Sequence, residues 1–447
     1  MTEVLDMKDR YVEAFSQLES ALAGNGPTWL RQIRSSAISR FTELGFPTPR
    51  DEAWRFTNVQ PITAVPFKRA TADRLNGLSP ETLAETPIPA LTACRLVFVD
   101  GRYTPELSHT QLPAGGTLGS LAAWLQNGSD TLEPHLARQV GQEPHAFAAL
   151  NTAFFSDGAF VHLPQDVVLD HPIHLLFVST AQNKPRVTYP RVLIVAEENA
   201  KASVVESYVG FGEGVYLTNA VTEVILGENA RVDHYKLQRE RRTAFHVAAQ
   251  QVHQHRHSTL NSCSISLGGA LVRNDLNVLL AAEGAECHLN GLYLVTGTQH
   301  VDNHTTIDHA KPHGSSREFY KGILDGRSSA VFNGTIVVRP GAQKTDAMQT
   351  NKNLLLSDEG LVHTKPELQI FANDVKCKHG ATIGKLSADA LFYLRSRGID
   401  LEAARRLLIH AFASEIIERI PLRSLKDSIA ALVSAELADR WQEAEHS

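Results

Sequence analysis

Apolar positions return at helical spacing through the first 60 residues. Tyr11, Val12, Phe15, Leu18 and Leu22 form one stripe, and Gly24 with Gly26 closes it, which predicts an N-terminal helix. A second helix is predicted from Pro27, with Leu30, Ile33, Ala37, Phe41 and Leu44 on one side and Gly45 and Pro47 at its end, because proline suits a helix start and glycine its exit. Residues 51–58 read DEAWRFTN, where Trp54 and Phe56 are expected to act as packing anchors. Residues 61–150 are mixed, with a short strand RLVFV turned by Asp100-Gly101.

From about Ala159 the pattern changes to short β-rich runs, among them AFVHL, IHLLFV, RVLIVA, ASVVESYV, TEVIL, RVDHYKL, CHLNGLYLV and AVFNGTIVV. A loose turn phrase recurs before such runs, at Glu198-Asn199-Ala200, Asn229-Ala230, Gly284-Ala285 and Gly326-Arg327-Ser328. The successive intervals Ala200 to Ala230, Ala230 to Ala285 and Ala285 to Ser328 are 30, 55 and 43 residues, an imperfect repeat in the range of stacked coils. Frequent Asn-Gly or Asp-Gly hairpins are missing, so a parallel β-helix is favoured over a sandwich. Near Ser387 helical spacing returns. Asp400 is the expected cap of a helix presenting Leu401, Ala404, Leu407, Leu408, Phe412 and Ile416, and Pro421 opens a last helix with Leu422, Leu425, Ile429, Leu432 and Leu437. The chain is thus mainly β, divided into an N-terminal helical and mixed region (1–150), a β-helix core (151–386) and a C-terminal helical region (387–447).

At 447 residues the chain can bury a large core without disulfides or structural metals. Its four cysteines, Cys94, Cys263, Cys287 and Cys377, contain no CxxC pair and read as reduced thiols. A formal charge of -6 gives no electrostatic footprint for nucleic acid or an anionic membrane. An acidic start and the lack of long apolar runs point away from a signal peptide or a spanning helix, and towards a cytoplasmic protein.

Four motifs invite chemistry. GATIGKLS, residues 380–387, superficially resembles a phosphate loop, but too few residues separate its glycines and Leu386 stands where Ser or Thr would meet magnesium; it reads as a turn. His253, His255 and His257 alternate and, on a strand, share one face; a solvated ladder is favoured over a metal site. His300, His304, His309 and His313 are irregularly spaced, which suits a coil and hydrogen bonding rather than zinc hydrolysis. The most informative segment is DVKCKHG, residues 374–380. Extended, it sends Cys377 and His379 to one side, with Lys376 and Lys378 expected to lower the thiol pKa and Gly380 expected to allow a sharp turn. Two ligands cannot close a tetrahedral site, so a metal or cluster here needs a second chain.

Residues 302–360, then PELQIFANDVKCKHGATIG and ALFYLRSRGI, together with DEAWRFTN near the start, resemble the SufB/SufD family of iron-sulfur cluster assembly proteins. The phrases CKHGATIG and FYLRSRG resemble its SufD branch, and SufB-like chains tend to carry Cys where Leu394 stands. The resemblance implies a right-handed parallel β-helix between helical regions. It implies a non-catalytic scaffold subunit in complex with SufB and the ABC-type ATPase SufC, which docks on the C-terminal helices. It also implies a transient cluster at the SufB-SufD interface, with the position of His379 a candidate ligand and that of Cys377 a nearby thiol. Reduced flavin is associated with the family's complex, although no flavin site is visible in this chain. A SufB-like homodimeric scaffold and a β-helix carbohydrate-active enzyme are the rival readings.

Overall fold

The computed structural model describes residues 7–21, 26–70, 78–85, 91, 94–112, 115–138, 146–181 and 184–445. Its centre is a parallel β-solenoid of about eight turns, in which successive strands alternate between two sheets that face one another. One sheet runs through Gly158–Leu163, Arg191–Ala196, Tyr216–Leu226, Phe245–Gln254, Leu271–Leu280, His300–His309, Ser329–Val338 and Leu361–Ile370. The other runs through Ile173–Ser179, Lys201–Gly210, Arg231–Arg239, Thr259–Ser266, Glu286–Val295, Ser315–Leu324, Asp346–Leu355 and Lys376–Gly384. Helices flank this core at both chain ends, as expected. The helices Met7–Ala21 and Thr28–Leu44 bear out the first two helical stripes, while Leu22 and Gly24 lie outside the described residues.

The coil length varies between 26 residues (Phe245 opposite Leu271) and 33 (Gly158 opposite Arg191), which explains the imperfect repeat in the sequence. The interval from Ala230 to Ala285 spans two coils, with Ser258 at the intervening corner, and Ser328 belongs to the opposite edge. One corner is built alike coil after coil. Asn199, Asn229, His257, Gly284, His313 and Lys344 all adopt positive φ, and each N–H donates to the corresponding carbonyl of the next coil, from Asn199 to Glu228 at 2.9 Å through Lys344 to Asp374 at 2.6 Å. Only glycine is unstrained there, and asparagine and histidine are the most tolerant of the rest; a hydrogen bond gained at each level offsets the strain. His257 therefore occupies a corner. The strand ends at Gln254, so His255 and His257 do not continue the face of His253, although the rings of His253 and His255 lie 4.9 Å apart.

Three apolar layers organise the molecule. Leu175, Val204, Val232, Leu289, Val301 and Phe332 belong to the layer inside the coils. Leu30, Phe41, Trp54, Phe147 and Phe154 from the N-terminal region cover the outer face of the first sheet at Leu193, Leu217 and Val247. Ile409, Ala413, Ile416, Leu425 and Ile429 cover the outer face of the second at Leu237, Ile265, Leu292 and Ile323. Asp400 caps the helix Leu401–Ile417 by accepting from the Ala403 N–H at 2.8 Å. Its buried stripe is Ala404, Ile409, Ala413, Ile416 and Ile417, so the expected face is rotated: Leu401 and Leu407 are exposed, close in sequence to exposed Phe392 and Tyr393. The buried Lys321 ammonium fixes this helix by donating to the Phe412 carbonyl at 2.7 Å and pairing with Glu415 at 3.0 Å.

Candidate functional site at the open end of the solenoid

The last coil is left largely uncovered, touched from the N-terminal region by Phe56 on His363 and Glu52 on Lys365. Leu361–Ile370 pairs with Ser329–Val338, and Lys376–Gly384 with Asp346–Leu355; each ends its sheet with one edge unpaired among the described residues. Nearly every residue of Lys376–Gly384 is exposed, and Leu361, Ile370, Phe371 and Ile383 add exposed apolar surface. An edge of this kind is a template for another chain.

Cys377 and His379 lie on this terminal strand, opposite Ala347 and Gln349. Both face the solenoid interior, because alternate residues of a strand share a side and Ala347 and Gln349 are buried. Cys377 is half-buried against Ile336, Val338, Ala347 and Ala372, whereas His379 is exposed. The geometry bears out the shared face and corrects two other expectations. Burial pushes the Cys377 thiol up, Asp346 adds to the rise, and the Ala347 backbone offsets only part of it. Lys376 and Lys378 do not lower it because alternation turns them to the opposite face. Gly380 makes no turn: the strand runs through it to Gly384, so GATIGKLS is mostly extended edge rather than a loop.

The other histidines are placed differently. His300, His304 and His309 lie on a strand, not in a coil, and His313 holds a corner. His309 is buried with Nε2 2.9 Å from the Ser316 hydroxyl, and burial pushes it down to about 4. His304 lies 3.0 Å from Asp302. His300 contacts the Thr57 hydroxyl at 2.9 Å and the Ser329 hydroxyl at 2.7 Å. These contacts hold DEAWRFTN on the first sheet, where the Arg273 guanidinium lies 4.0 Å over Trp54 and Phe56 stacks on His363 at 3.9 Å. Trp54 is a buried anchor and Phe56 a partly exposed one. Among the described residues, no three His, Cys, Asp or Glu side chains converge to hold a metal ion.

Sequence periodicity did not expose the polar interior of the early coils, far from the terminal strand. Glu206 accepts from Tyr208 at 2.7 Å and lies 2.8 Å from His234; Glu240 lies 2.7 Å from His246. Burial pushes both carboxyls up, but His234 with Tyr208 and Lys236, and His246 with Thr218 and Gln238, bring them below the ordinary value. Burial takes the Lys236 ammonium down to about 8. The one available sequence signal is Glu, His, Lys and Gln at alternate positions inside otherwise β-forming runs.

Two family descriptions match the chain: the SUF system FeS cluster assembly SufBD core domain over residues 177–412, and the SufBD protein N-terminal region over residues 5–175. An iron-sulfur cluster assembly SufBD family protein of Synechocystis is 37% identical, with 95% of each chain covered. The iron-sulfur cluster assembly protein SufD of Escherichia coli is 32% identical over 90% of this chain and 91% of its own. The Bacillus subtilis protein of the same name is 25% identical over 97% and 98%.

Proposed function

The chain belongs to the SufB/SufD family of iron-sulfur cluster assembly proteins, and on that premise we propose that it is a non-catalytic, cytoplasmic scaffold subunit of the SUF assembly complex. Its partners are a SufB-type chain at the open end of the solenoid and a SufC-type ATPase at the C-terminal helices. His379 is a ligand of the nascent cluster and Cys377 an accessory thiol. The single observation that carries the reading is the terminal strand itself: an edge unpaired among the described residues that holds a thiol and an imidazole on one face, with exposed Ile383 and Phe371 nearby. Pairing with a second solenoid would continue the sheets and bring the partner's ligands to the two that this chain supplies.

Exposed Leu401 and Leu407 on the helix Leu401–Ile417, which Lys321 anchors, and exposed Phe392 and Tyr393 on the preceding helix Ala388–Ser396 support the ATPase assignment as apolar side chains left open to a partner. No helix among the described residues is long and apolar enough to cross a membrane. The iron-sulfur cluster is cargo built between chains. Co-expression with SufB-type and SufC-type chains of the same organism, followed by anaerobic purification on a tag carried by this chain, tests the proposal. Recovery of a three-component complex supports it. Recovery of this chain as a homodimer that binds neither partner overturns it in favour of the SufB-like homodimeric reading.

A further inference from the structure

Glu318 differs from every other acidic group inside the solenoid that has been described above. It is 2% exposed, and its neighbours are uncharged. Glu206 and Glu240 each face a histidine. Glu318 accepts one hydrogen bond, from the Gln349 amide to Oε2 at 2.7 Å. Its Oε1 and the adjoining Thr305 hydroxyl have no hydrogen bond of normal geometry. The titratable groups whose charge it feels or affects are the Cys287 thiol and the Tyr320 phenol, both pushed up by burial and therefore neutral. Burial moves the Glu318 carboxyl up to about 7, against smaller opposing effects of Thr305 and Gln349.

Its position gives the isolation a direction. Glu318 stands opposite Gln349, and Gln349 opposite His379, so the three form one inward-facing column ending at the open coil. Two strand spacings separate Glu318 from His379, about 10 Å. The amide between them sits in space reserved for it: a Cβ on Gly334 across the interior would lie 1.7 Å from the Gln349 Nε2. An unpaired buried carboxylate is costly, yet here it faces a site expected to receive positive charge.

We propose that Glu318 is the built-in counter-charge of the open-end site: at slightly acidic pH it is a carboxylic acid while the end coil is empty, and a carboxylate once the end coil holds a divalent cation. Cation binding breaks the carboxyl O–H bond, leaves the electron pair on oxygen and releases the proton to solvent. This rests on the reading of His379 as a ligand. Glu318 touches neither cation nor cluster, so it is a positioning group that acts through charge.

Anaerobic calorimetric titration of the assembled complex with ferrous ion tests it, in two buffers of different ionisation enthalpy so that protons are counted. At about pH 6.5 the wild type should release up to about one more proton per ion than Glu318→Gln, and at about pH 8 the excess should vanish because the carboxyl is already ionised. At about pH 8 the variant should bind about tenfold more weakly, an attraction expected across this distance. Equal proton counts and affinities in wild type and Glu318→Gln, with binding abolished in His379→Ala, overturn the inference and leave the site reading standing. Unchanged binding in His379→Ala overturns the site reading, and the inference with it.

Discussion

Replacing Glu318 by glutamine in the isolated chain should make it more stable at alkaline pH, without any metal present. The folded carboxyl sits at about 7 against an ordinary value of 4.5. The folded protein therefore holds its proton over a range in which the unfolded chain has lost it, and wild-type stability falls as pH rises between those two values. Below the lower value the contribution is complete; above the higher one it is gone. The difference corresponds to about 3 kcal/mol at roughly 1.4 kcal/mol per pKa unit. Glutamine removes the titration and keeps the shape, with an oxygen for Gln349 and an amide for Thr305. Denaturant midpoints at several pH values for both proteins isolate the effect, because all other titrations cancel in the difference. The variant should gain up to about 3 kcal/mol above neutrality and nothing near pH 4. Parallel curves, with the same difference at every pH, would refute the argument that this carboxyl is buried without a charged partner.

Other substitutions probe the scaffold. Glu223→Gln should cost about 3–5 kcal/mol, since it leaves the fully buried Arg191, which also holds Asn151 at 3.1 Å and Thr152 at 3.0 Å, without its counter-ion; chemical denaturation measures this. Lys321→Met should remove the hydrogen bond to Phe412 and the ion pair with Glu415, costing about 1–3 kcal/mol and making residues 401–445 more sensitive to limited proteolysis while the solenoid stays intact. Ile383→Lys, on the exposed terminal strand, should weaken association with the SufB-type partner in analytical ultracentrifugation and leave circular dichroism unchanged.

Helices and early coils were legible because their apolar residues alternate or return cleanly: Leu425, Ile429, Leu432 and Leu437 are all buried as read. The later coils were harder. Asp346–Leu355 turns Ala347, Gln349, Asn351 and Asn353 inward, so polar residues occupy core positions and the apolar alternation disappears. The same cause hid the strand His300–His309, in which Asn303, Thr305 and His309 are interior. At the candidate site, local spacing sufficed to put Cys377 and His379 on one side. It could not foresee the raised thiol, which comes from burial against Ile336, Val338 and Ala347 and from the charge of Asp346, thirty or more residues earlier, nor Glu318 beneath His379, which follows only from the register of three coils.

The most direct measurement is the iron and acid-labile sulfide content, with visible absorbance, of the complex carrying His379→Ala, purified anaerobically beside the wild type and Cys377→Ala. The account predicts a complex of unchanged composition that has lost most of its cluster, with a smaller loss for Cys377→Ala. Wild-type iron and sulfide in the His379→Ala complex would contradict the assignment of the open end as the place where the cluster is built.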